Sequence, residues 1–131
     1  MRTFATTLLI AALVAGCGTT QRADDASAVA ERFQTALDGR DGAAACAELS
    51  EETSQALEEQ EGKPCDEAIL DLELPDGTEL GDTDVDVTSA SVSVLEGGTL
   101  FLNEAPDGWE ISAAGCMPTA PELPYDCELE D

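Results

Sequence analysis

The spacing of the apolar residues changes once along this chain, near Gly81, and that change limits the folds open to it. Upstream, Asp25 to Asp38 sets Ala26, Val29, Ala30, Phe33, Ala36 and Leu37 on one face of a helix, with Gly39 as its stop. Asp41 is placed to cap a shorter helix through Leu49, and Ser50 a third through Gln60, closed by Gly62 and Pro64. Cys65 to Leu72 supplies one or two turns more before Pro75. Downstream the period falls to two: Val85 and Val87 alternate with Asp84, Asp86 and Thr88, then Ala90, Val92 and Val94 with Ser91 and Ser93. Gly97-Gly98 turns into Thr99 to Asn103, and Asp107-Gly108 turns into Trp109 to Ala113. A meander with one apolar face cannot stand in water uncovered, so the expectation is α+β, with N-terminal helices packed on a four-stranded antiparallel sheet.

The length, 131 residues, suits one domain. Acidic residues number 29 against 5 basic ones, a formal charge of −24 that repels phosphate backbones and excludes nucleic acid as a partner. With no histidine, imidazole general bases and His-oriented nucleophiles are excluded as well. We expect no enzymatic activity, no cofactor and no metal centre.

The N-terminus carries an address. Met1-Arg2-Thr3 is followed by an uncharged, mostly apolar run from Phe4 to Val14, too short for a bilayer span of about 20 residues. The run ends in Val14-Ala15-Gly16-Cys17, which resembles the lipobox of bacterial lipoproteins. That resemblance implies a signal peptide over 1–16, cleavage between Gly16 and Cys17, and a diacylglycerol on Cys17 holding the protein at the cell membrane, facing outside the cytoplasm. Two acyl chains give a firm hold at about 0.8 kcal/mol per buried CH₂. The polar residues that follow, over 17–25, read as a flexible tether, leaving 26–131 for the folded domain.

Four cysteines remain: Cys46, Cys65, Cys116 and Cys127. None forms a CxxC pair, and without histidine a zinc site would need all four thiolates at unusual spacings, so disulfides are expected. Of the three pairings, Cys46 with Cys65 and Cys116 with Cys127 keeps each bridge within one half of the chain.

Val29, Ala30, Phe33, Leu37 and Gly39, the Ala-rich 43–49 and Gly108-Trp109-Glu110-Ile111 together resemble the cystatin-like, cone-shaped nuclear transport factor 2 superfamily. More narrowly, Ala45-Cys46, Pro64-Cys65, Cys116-Met117-Pro118 and Tyr125-Asp126-Cys127 resemble small lipoproteins of high-GC Gram-positive bacteria. Such a fold hosts enzymes, ligand binders and interaction modules alike. Enzymes of the superfamily often place His and Asp in the cone, and this chain has no His.

Candidate sites are few. Phe33, Phe101 and Trp109 could line a pocket at the mouth of the cone, the basis of a small-molecule or lipid binder. Asp82-Thr83-Asp84-Val85-Asp86 alternates like a calcium loop, but Val87 stands where that loop requires Gly, and a strand's solvent face is the better account. Glu48, Glu51, Glu52, Glu58, Glu59 and Glu61 form a solvated face or a docking surface for a basic protein or divalent cations. Carboxylates are too abundant for any one pair to be singled out as an enzyme's. The function expected is a non-enzymatic binding or interaction module of the cell envelope, with the cone-interior binder and a carboxylate-dependent enzyme as alternatives.

Overall fold

The computed structural model describes residues 17–75 and 77–131. Residues 1–16, with the expected signal peptide and Gly16 at its cleavage site, lie outside the described residues. The architecture is α+β: four helices followed by an antiparallel sheet.

Helix α1 spans Cys17–Asp38 and turns Ala26, Val29, Ala30, Phe33 and Ala36 inward, as their spacing requires. Its length corrects one expectation, because the stretch 17–25, read as a tether, forms the first turns of this helix. Polar contacts hold those turns, among them Gln21 Nε2 donating to Asp25 Oδ1 at 2.9 Å, and polar contacts leave no apolar period to read. The helix ends at Asp38, but the left-handed residue that reverses the chain is Arg40, at φ 53°, rather than Gly39. Asp41 accepts from Ala44 N at 3.0 Å and caps α2, Gly42–Cys46. That helix stops short of Leu49, which instead bridges to Ile111.

Ser50 caps α3, Glu51–Glu61, accepting from Thr53 N at 3.1 Å. Thr53 is itself fully buried, and its hydroxyl donates to Ser112 O at 3.2 Å. Helix α4, Cys65–Asp71, lies so close to α2 that a Cβ on Gly42 would stand 1.9 Å from Asp66 O. Only glycine fits there. The Cys46–Cys65 disulfide joins the same two helices.

Strands β1 (Leu80–Val85), β2 (Ser89–Val94), β3 (Gly98–Ala105) and β4 (Gly108–Pro118) form the expected meander. Two short strands were not foreseen: β5, Tyr125–Asp126, and β6, Leu129–Glu130, both pair with β4. Register places Val92 opposite Leu100 and Leu102 opposite Ile111, so their side chains share the covered face. Val87, expected as an inward strand residue, sits in the β1–β2 turn and is 78% exposed. The turn forms there because Asp86 N closes it on Ser89 O at 2.8 Å and Val87 N donates to Asp86 Oδ1.

A single apolar cluster unites Ala26, Val29, Ala30 and Phe33 of α1, Leu57 of α3, Ile69 of α4, and Val92, Leu100, Leu102 and Ile111 of the sheet. Helix α1 meets β1, β2 and β4, while α3 meets β4 and β6. The second disulfide, Cys116–Cys127, ties β4 to the C-terminal segment. Both bridges have the expected partners.

Candidate functional site

Two arginines organise the most elaborate polar site among the described residues. Arg22 leaves the second turn of α1 and reaches across the end of the sheet. Its Nη1 donates to Asp86 O at 3.1 Å, and its Nη2 donates to Val87 O at 2.7 Å and Glu104 Oε2 at 3.0 Å. The guanidinium also lies over Trp109, 5.2 Å from the ring centroid, in cation–π geometry. Glu104 is opposite Trp109 in the β3–β4 ladder, so both side chains leave the sheet toward α1.

Farther along α1, Arg32 makes a fork with Glu48: Nε to Oε1 at 2.8 Å and Nη2 to Oε2 at 3.0 Å. Those hydrogen bonds hold the Arg32 guanidinium in its charged form more firmly than usual, against an opposing cost of burial. Between the two arginines a surface groove of about 360 Å³ is lined by Asp25, Val29, Glu104, Asp107 and Trp109. Arg32 also borders a wider depression of about 580 Å³ between α1 and α2.

Both arginines face carboxylate partners, whereas Asp25 and Asp107 are exposed on the rim. The groove therefore presents hydrogen-bond acceptors and negative charge beside an indole. It suits a cationic or donor-rich partner.

The three aromatics expected to share a pocket do not come together. Phe33 is fully buried in the core. Phe101 lies on the opposite face of the sheet, edge-on to Tyr125 with ring centroids 5.0 Å apart. Trp109 alone reaches the groove. Between α1 and α4 a recess of about 50 Å³ is lined by Gln34, Leu37, Ile69 and Leu72. That is room for a water or two, whereas ligand pockets run to about 300 Å³ and more.

Asp82 and Asp84 are exposed on β1 and Asp86 just after it, while Thr83 turns the other way to share a 2.7 Å hydrogen bond with Ser27. Among the described residues no three His, Cys, Asp or Glu side chains converge as a metal site would need. Within the acidic run, Glu51, Glu52 and Glu59 are exposed, but Glu48 holds Arg32 and Glu58 accepts from Cys65 N, the first residue of α4, at 3.0 Å.

Arg22, Arg32 and Glu104 were not singled out from the sequence. Their one visible signal was scarcity, since a chain with five basic residues among 29 acidic ones will have each of them contested by carboxylates. Comparison with protein-family models, curated proteins and solved structures gave no match.

Proposed function

We propose that this protein is a diacylglycerol-anchored lipoprotein of the cell envelope, facing outside the cytoplasm, whose domain is a non-enzymatic binding module. The observation that carries the proposal is the partition of the cysteines: four are joined in two disulfides, and the fifth, Cys17, stands at the lipobox. Disulfides persist in oxidising compartments, and the export signal leads to one. The helix-covered meander supports assignment to the cystatin-like, cone-shaped class.

A packed interior supports a module that binds at its surface rather than inside the cone. The groove at Trp109, with Asp25 and Asp107 on its rim, is the binding face we favour, and a basic protein segment is the partner its charge suits.

Mass spectrometry of membrane-extracted protein, native against Cys17→Ser, tests the anchor. The native chain should carry a lipid mass that the variant lacks, and the variant should appear in the medium; unchanged retention refutes the anchor. Binding of an oligolysine peptide tests the face. Asp25→Asn with Asp107→Asn should weaken it more than the equally charged control Glu59→Gln with Glu122→Gln, and equal losses would show only diffuse attraction.

A further inference from the structure

We infer, on the premise that Cys17 carries the acyl chains, that the domain stands on the bilayer by one end of its sheet, with Val87 seated among the lipid headgroups. Residues 17–25 are helical and continuous with the rest of α1, so no free tether separates a lipid at Cys17 from the folded body. Arg22 follows five residues later, about 7.5 Å along the helix axis at 1.5 Å per residue. Helical side chains lean toward the N-terminus, so the guanidinium points back toward the anchored end. There it holds the carbonyls of Asp86 and Val87.

A second contact fixes the direction. Ser27 of α1 bonds Thr83 of β1, so as the helix runs back from 27 to 22 the strand runs forward from 83 to the turn at 86 and 87. In an antiparallel meander, the end of β1 shares its edge with the start of β2, the end of β3 and the start of β4. The β3–β4 turn, closed by the Ala105–Gly108 pair, therefore flanks the anchor too.

The exposed apolar residues are unevenly divided between the two ends. Val87, at 78% the most exposed large apolar side chain among the described residues, lies at the anchored end. Leu95 is in the β2–β3 turn, and Met117, Leu123 and Tyr125 lie at or beside the β4–β5 pairing, all toward the far end. The valine sits where the acylated residue enters the fold, so the bilayer is the surface that covers it. Asp86 and Asp107 share this end, and their charge opposes anionic lipid, so the fitting surface is zwitterionic.

The sequence contains one tryptophan, which makes the position readable. Full-length lipidated protein would be reconstituted into phosphatidylcholine vesicles containing a headgroup-nitroxide lipid, and vesicle flotation recorded beside fluorescence. In a Trp109→Phe background, Val87→Trp should shift its emission to the blue on reconstitution and be quenched several-fold more than Leu123→Trp. Equal quenching at the two positions, or stronger quenching at 123, in protein that floats with the vesicles overturns the orientation and leaves the anchor standing. Native protein that lacks a lipid mass and does not float overturns the premise itself. If Trp109→Phe prevents oxidative folding, Trp109 of the native chain reports on the same end, and its failure to be quenched in floated vesicles overturns the proposal.

Discussion

The two halves of α1 are held to the molecule by different chemistry. From Ala26 to Ala36 the helix buries Ala26, Val29, Ala30, Phe33 and Ala36 in the common core. From Gly18 to Asp25 no residue is buried, and Arg22 makes the contacts to the sheet. Apolar burial is non-directional and needs only a face, which a helical period supplies locally. The clamp needs particular acceptors, and these lie 64, 65 and 82 residues away along the chain.

The comparison breaks first at Phe33. Phe33→Ala removes a fully buried ring from the centre of the cluster, and a loss of about 3–5 kcal/mol is expected in denaturant titrations. Both halves of the helix should be lost together, since the clamp alone cannot offset that cavity. A loss under about 1 kcal/mol would show that the core relaxes around the site.

Next comes the covalent support of the C-terminal half. Cys46 and Cys65, separated by 19 residues, tie α2 to α4, and α2 packs against α1. Replacing both with Ala should cost about 3 kcal/mol on the chain-entropy model, read as a lowered midpoint in urea. Trp109, which packs against Arg22 at the other end of the helix, should keep its native fluorescence.

Arg22→Ala sharpens the contrast. Its guanidinium is about one-third exposed and its partner Glu104 nearly half, so solvent weakens the ion pair. With the indole contact and two carbonyl bonds included, a loss of about 1–2 kcal/mol is expected. The diagnostic is local: amide exchange should quicken over residues 18–25 while the amides around Phe33 stay protected. Arg22→Lys should not restore protection, because an ammonium cannot span the carbonyls, the carboxylate and the ring as a planar guanidinium does. Uniform quickening along the whole helix would refute the division. Ser27→Ala, which removes the one hydrogen bond to Thr83, should cost about 1 kcal/mol and affect the junction of the halves.

The same contrast decides what the sequence could disclose. The inward face of α1, the Asp41 and Ser50 caps, the four-strand meander and both disulfides were legible because each follows from local spacing, capping chemistry or cysteine parity. The first turns of α1 were not, because a polar stretch reads as a linker until its distant acceptors are known. Val87 was misplaced because alternation continues in sequence past the point where Asp86 closes a turn. The shared aromatic pocket failed for a related reason. A strand sends Phe101 to the face opposite Leu100 and Leu102, and helical spacing had already assigned Phe33 to the core. Of the candidate groove, only Trp109 was foreseen.

The smallest expected effect separates a clamp from an ordinary ion pair. Lys63 donates to Asp71 at the surface, with both side chains at least one-third exposed. The hydrogen bond from Lys63, then its charge, hold the Asp71 carboxyl below the usual carboxylate range, and the same contact raises Lys63 above the usual amine range. A depressed carboxyl stabilises the fold above its unfolded pKa and loses that contribution as the pH falls through the folded value. A raised amine stabilises below its unfolded pKa and loses that contribution as the pH rises through the folded value. The pair therefore acts across the neutral range. Asp71→Asn should lower the urea midpoint slightly at neutral pH and low salt. The difference should vanish in strong acid, and also in about 1 M salt, where the screening length is about 3 Å. The Arg22→Ala deficit should persist in that salt, because two of its three hydrogen bonds end on backbone carbonyls that ions do not neutralise. Equal salt sensitivity of the two variants would reduce Arg22 to one more surface charge, and with it the distinction between the halves of α1.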